Sequence, residues 1–125
     1  MTVLSVNRLA KALESLKNGY KPHPSDLERD GLTQRFEYTL QLCWKTAKKV
    51  LFINGIEVDT PKNVMRELGA LGWIDNPEDW LDYIEKRNQT GHMYNEAVAE
   101  EIFSVIAKFI IDAEKLLKTL SANNK

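Results

Sequence analysis

The stretch Val98-Ala99-Glu100-Glu101-Ile102-Phe103-Ser104-Val105-Ile106-Ala107-Lys108-Phe109-Ile110-Ile111-Asp112-Ala113-Glu114-Lys115-Leu116-Leu117 decides the fold. Val98, Ile102, Val105, Phe109 and Leu116 recur at helical spacing and form one apolar stripe. Ala99, Phe103, Ile106, Ile110 and Leu117 form a second stripe, rotated well away from the first. A helix that is apolar on two faces is either central in a bundle or buries one face against another subunit. In so small a chain the second account is the expectation, and a two-fold homodimer is the commonest soluble assembly. The helix is predicted over roughly Tyr94 to Leu120, with Ser121 to Lys125 fraying.

Working back along the chain, helical periodicity continues. Leu9, Leu13, Leu16 and Tyr20 mark a first helix that Pro22 and Pro24 end. Ser25 or Asp26 can cap a long second helix, whose Leu32, Phe36, Leu40, Cys43, Ala47 and Val50/Leu51 point inward and which Asn54-Gly55 stops. Two short helices follow. Thr60-Pro61 places a capping hydroxyl before a proline at the first helical position, and Asn76-Pro77 repeats the device, with Glu78 and Asp79 at the positive end of that helix. Gly69 and Gly72 close the first of these, and the second runs through Trp80 to about Arg87 or Gln89. With no alternating strand pattern, repeat or low-complexity tract, the chain reads as one all-α domain over 1–125. It is an up-and-down bundle of four to five helices with its core at about 5–120.

Composition narrows the function. The 125 residues suffice for one domain, and 43% hydrophobic content can close a core. Seventeen Lys plus Arg against 18 Asp plus Glu give a net charge of -1, and the absence of a long acidic or basic tail excludes a charged disordered arm. A pI near 6.1 argues against non-specific coating of nucleic acid and leaves a local basic cleft open. Cys43 is a single cysteine, so no internal disulfide is possible, and no Cys/His cluster has zinc spacing. The start carries no signal-peptide pattern, and no apolar run approaches the roughly 20 residues of a membrane span. A soluble, cytoplasmic protein without metal or cofactor is expected.

The chemistry concentrates in Lys86-Arg87-Asn88-Gln89-Thr90-Gly91-His92-Met93-Tyr94-Asn95, which joins the last two helices. Taken singly, these residues suit a helix C-terminus, a turn and a cap. Their register says more. At about 100° per residue Trp80, Ile84 and Arg87 share a face, so Arg87 continues an apolar stripe, where a guanidinium needs an anionic or hydrogen-bonding partner. Extrapolated back from the last helix, His92 aligns with Ala99, Phe103 and Ile106, and Tyr94 with Val98 and Ile102. Arg87 and His92 are then expected to meet in a cleft at the dimer face, doubled by symmetry.

An Arg, an Asn and a His suit RNA, which supplies its own nucleophile in the 2′-OH. The His exchanges protons near neutral pH, Arg87 grips the phosphate, and Asn88 adds a hydrogen bond. The same groups can also simply hold a nucleotide phosphate.

Arg87 to His92 resembles the R-x4-H motif of the HEPN superfamily, with Asn88 as the polar residue after the Arg. With Tyr94 it becomes R-x4-H-x-Y, similar to the HepT-like toxin of HEPN and minimal-nucleotidyltransferase toxin–antitoxin pairs. Thr60-Pro61, Trp80-Leu81 before Arg87-Asn88, and the apolar last helix resemble the nucleotidyltransferase substrate-binding protein family, over about Arg8 to Leu120. The resemblance implies a HEPN-like helical dimer with both motifs in one cleft, and metal-independent RNA cleavage carried by Arg87 and His92 with Asn88 supporting. It further implies that Tyr94 accepts AMP from a cognate nucleotidyltransferase, the adenylate then obstructing RNA. The competing readings are a non-catalytic subunit that presents substrate to that enzyme and a structural dimer with no site.

Other residues read more simply. His23 is a loop residue, while Tyr20, Tyr38 and Tyr83 are core or interface aromatics, and Trp73 and Trp80 are packing anchors. Lys45, Lys48 and Lys49 form a solvated face, and Cys43 is a buried apolar residue. Asp26, Glu28, Arg29 and Asp30 are first-turn charges whose acidic members can reach the cleft, and Met93 lines the interface.

Overall fold

A computed structural model describes residues 5–89 and 96–124. Five helices occupy them: α1 (Ser5–Gly19), α2 (Asp26–Ile53), α3 (Pro61–Ala70), α4 (Pro77–Gln89) and α5 (Glu96–Asn123). No strand occurs among the described residues, and no described helix is long and apolar enough to cross a membrane.

The ends of these helices follow local chemistry. Ser25 Oγ accepts from Glu28 N–H while the Glu28 carboxylate accepts from Ser25 N–H, a reciprocal cap that starts α2. Thr60 caps α3 ahead of Pro61. Both α2 and α3 stop in the same way. Ile56 N–H reaches back to Leu51 O and Gly55 N–H to Phe52 O, while Trp73 and Gly72 reach Leu68 and Gly69. The glycines that permit this turn have φ of 83° and 75°. At α4 the expected device changes. The Asn76 side-chain amide donates to Asp79 and, across the bundle, to Asp112.

Partner contacts fix the directions. Lys49 Nζ and Thr46 Oγ1 of α2 reach Ser5 at the start of α1, so these two run antiparallel. Arg29 meets Glu96 and Glu100, whereas Asn54 meets Asn123, so α2 and α5 run parallel. In α4, Asp79 pairs with Lys108 and Lys86 with Glu101, which sets α4 antiparallel to α5. Thus α1, α2, α4 and α5 form the up-and-down bundle, with α3 packed on α2 and α4. At its centre Phe109 meets Phe36, Trp80 and Tyr83 edge to face, with ring centroids 4.9, 5.8 and 5.2 Å away. Cys43 is fully buried, and burial pushes its thiol pKa up.

Two expectations about α5 are corrected. Its second stripe is not a free face: Ala99, Ile106 and Ile110 are buried, and Phe103 and Leu117 pack against the core. Phe103 stacks on Tyr20, with centroids 5.8 Å apart. The helix is apolar on two sides because it is central, wedged among α1, α2 and α4. Nor does it fray at Ser121. It continues to Asn123, whose carbonyl accepts from Asn54 Nδ2 at 3.1 Å.

Candidate functional site at the rim of α2, α4 and α5

One end of the bundle brings together the start of α2, the last turn of α4 and the start of α5. Arg87 and Asn88 lie there, on the final turn of α4, and both are exposed. The register expected for Arg87 is right, but its burial is corrected: Trp80 and Ile84 are buried, and the stripe ends at Ile84. Beyond that residue α4 reaches the rim, so the guanidinium keeps its access to solvent. His92 and Tyr94 lie outside the described residues, as does the meeting of Arg87 with His92.

Two more cations at this end of the bundle have acidic neighbours. Arg29 is 8% exposed. Its guanidinium is 3.6 Å from Glu96, 3.8 Å from Glu100 and 3.9 Å from Asp26. Lys86 lies 3.0 Å from Asp82 on its own helix and 3.5 Å from Glu101 on α5. Partial burial opposes the Lys86 charge, yet Asp82 and Glu101 outweigh it and hold the ammonium pKa above its ordinary value. Glu100 and Glu101 are consecutive, so α2 and α4 grip the same turn of α5 from two sides.

A second polar group seats α4 itself. Tyr83 O–H donates to Asp112 Oδ2 at 2.6 Å, and Asn76 Nδ2 donates to the same oxygen at 3.1 Å. Burial, and then the Asp112 carboxylate, push the Tyr83 phenol pKa up. Asp112 also lines a cavity of about 210 Å³ between Trp73, Trp80 and Lys115. Tyr83 lies one turn before Arg87, so this network sets how α4 presents its last turn.

Arg29 was legible only as a first-turn charge. Its signal was its register: position 29 extends the stripe of Leu32, Phe36 and Leu40 towards the helix start. Asp112 carried no such mark, being one acid among the charged residues of α5.

Comparison with known proteins places the chain in a family. Residues 4–122 match the family model described as nucleotidyltransferase substrate binding protein like. The chain belongs to this family. Within this HEPN/HepT-like nucleotidyltransferase substrate-binding family, a Haemophilus influenzae protein named probable ribonuclease HepT is 30% identical over 100 residues, covering 76% of this chain and 68% of the relative. A crystal structure of a Thermus thermophilus protein superposes with a TM-score of 0.85 at 34% identity, over 90% of this chain and 98% of the other. A second structure, from Haemophilus influenzae, is described as revealing the fold of a substrate binding domain of a nucleotidyltransferase. It matches with a TM-score of 0.78 at 27% identity, over 93% and 98% of the two chains.

Proposed function

We propose that this protein is a HEPN toxin that cleaves RNA without metal through Arg87, Asn88 and His92. In this reading it is silenced when a cognate minimal nucleotidyltransferase transfers AMP to Tyr94. The observation that carries the reading is the exposed Arg87-Asn88 pair on the last turn of α4, with His92 five positions after Arg87 in a chain of this family. The name of the Haemophilus relative supports it.

In the cleavage step His92 accepts the 2′-OH proton as that oxygen attacks the adjacent phosphorus. The bond to the 5′-oxygen breaks, leaving a 2′,3′-cyclic phosphate, and the departing 5′-oxygen takes up a proton to become a 5′-hydroxyl. Arg87 binds the non-bridging oxygens, and its charge counters the negative charge that builds there. One imidazole cannot give and take at the same instant, so a homodimer provides the second His92. With the second stripe of α5 buried, the dimer needs another face. Leu27, Tyr38 and Phe52 are 83%, 54% and 66% exposed. At 100° per residue they lie along one line of α2, and we assign the pairing to that line. The setting is the cytoplasm, where RNA and the nucleotidyltransferase partner meet the chain. In silencing, the Tyr94 oxygen attacks the α-phosphorus of a nucleoside triphosphate and pyrophosphate leaves. The bulky anion then sits beside a phosphate-binding Arg.

A second reading has its own support: the family description and the Haemophilus structure both speak of substrate binding. There the chain presents substrate to a nucleotidyltransferase and cleaves nothing. Incubating RNA with the protein in excess chelator, with Tyr94 shown unmodified, separates the two. The ribonuclease reading predicts cleavage that His92→Ala lowers about 10²- to 10⁴-fold while helicity is retained. Intact RNA across several sequences with the wild type would move the assignment to the presenting subunit.

A further inference from the structure

We infer that the cavity between the α3–α4 connection and α5 is a binding site for a guanine base, whose two adjacent N–H donors meet Asp112 and Asn76. The site stands apart from Arg87. Pro77 and Arg87 belong to opposite ends of α4, about 15 Å apart along its axis. Its occupancy is independent of RNA cleavage.

Asp112 is 8% exposed, and both bonds it receives, from the Tyr83 hydroxyl and Asn76 Nδ2, fall on Oδ2. Among the described residues nothing donates to its Oδ1. Asn76 gives its amide hydrogens to Asp79 and Asp112, and its own Oδ1 likewise receives no described donor. The two side chains touch and both line the cavity of about 210 Å³, so their open oxygens share one polar corner of it. A carboxylate oxygen this buried is costly to leave without a donor, and the corner calls for a group that brings N–H. Trp73, Trp80 and Leu116 supply flat apolar walls, which suit a planar ring. Two acceptors select among such rings. Guanine presents N1–H and the 2-amino group together, whereas the adenine amino group is flanked by ring nitrogens whose lone pairs would face these oxygens.

Size and charge agree. Pockets that enclose a drug-sized ligand run from about 300 Å³ upward, so this smaller cavity takes the base and leaves sugar and phosphate outside. Lys115 lines the same cavity one turn after Asp112, exposed and without an ion pair among the described residues, where it meets that phosphate. The walls are set in advance. Gly72, at φ 75°, lets Trp73 N–H return to Leu68 O at 2.9 Å. A Cβ on Gly69 would stand 3.0 Å from Pro77 Cγ, so α3 and α4 close tightly on the connection between them. A pre-formed site loses little ordering entropy on binding.

Titration of the whole protein with guanosine 5′-monophosphate (GMP), followed by the indole N–H signals in ¹H–¹⁵N spectra, tests this. Trp73 and Trp80 line the cavity, whereas Trp44 lies on α2 and serves as the internal control. The Trp73 and Trp80 signals should move and saturate with a Kd below about 1 mM while Trp44 stays in place. Adenosine 5′-monophosphate should bind at least about tenfold more weakly, because a site that receives N–H donors rejects an analogue lacking them. Asp112→Asn puts a donor where an acceptor stood and should weaken GMP at least about tenfold. No movement of the Trp73 and Trp80 signals at about 5 mM GMP overturns the assignment. So does equal affinity for the two nucleotides, and so does unchanged GMP affinity in folded Asp112→Asn. Methylguanidine carries the same donor pair without the ring, and binding as tight as that of GMP overturns the base in favour of a guanidinium site. If Asp112→Asn does not fold, Lys115→Ala takes its place: it should weaken GMP and leave guanosine untouched, and unchanged GMP affinity there overturns the site.

Discussion

Replacing Tyr83 with Phe removes one oxygen and leaves the ring. Tyr83 is 1% exposed and Asp112 8%, so neither group has bulk water to fall back on. The bond between them is 2.6 Å, to a carboxylate that also receives Asn76 on the same oxygen. A hydrogen bond to a charged group contributes about 1.5–3 kcal/mol, and losing it leaves the carboxylate underserved in a low-dielectric site. The edge-to-face contacts with Trp80, Phe36 and Phe109 survive, because Phe keeps the ring in place. The expected loss is therefore about 2 kcal/mol. For a chain of this size that lowers the thermal midpoint by about 6–10 °C. Urea denaturation of wild type, Tyr83→Phe, Asp112→Ala and the double variant measures it, and the cycle should show coupling above about 1 kcal/mol. A Tyr83→Phe loss below about 0.5 kcal/mol, or no coupling, would refute the reasoning. It would mean that water in the adjoining cavity of about 210 Å³ serves Asp112 as well as the phenol does.

Lys21 and the Ser25 cap hold the Glu28 carboxyl down from 4.5 to about 2, and Lys108 and Asn76 lower Asp79. Both folded pKa values lie below the unfolded ones, so this stabilisation is present above the ordinary carboxylate range and is lost as pH falls towards 2. Lys21→Met/Lys108→Met should flatten the stability profile between pH 4.5 and 2, and a slope identical to wild type would disprove the assignment. Sedimentation at micromolar concentration should show a dimer for wild type and a monomer for Tyr38→Glu; a dimeric variant removes α2 as the pairing face, and a monomeric wild type removes the dimer. Tyr94→Phe should keep RNA cleavage but take no radiolabelled AMP from the cognate nucleotidyltransferase; undiminished labelling places the acceptor elsewhere.

The helices and their ends were legible because they depend on neighbours a few residues away. Ser25 with Glu28, Thr60 with Pro61, and Gly55 and Gly72 act within one turn, and each stands where the local rules put it. The candidate site was legible for a different reason. Arg87, Asn88, His92 and Tyr94 form a motif by their spacing, which needs no tertiary knowledge. Periodicity also showed that α5 is apolar on two faces, but it could not say what covers them. That depends on the segment just after α1, where Tyr20 lies 83 positions before Phe103 and packs against it only after the chain has doubled back.

The sequence by itself thus determined an all-α chain, the caps of α2 and α3 and the apolar stripes, all consequences of spacing along one helix or one turn. Only the tertiary structure decided that α5 is the central helix and that Arg87 stands exposed at the rim. It alone showed that Arg29 and Asp112, unremarkable as letters, are buried among partners from other helices. The physical reason is that the burial and pairing of a charge depend on distance in space. Arg29 and Glu96 stand 67 positions apart in the chain and 3.6 Å apart in the fold.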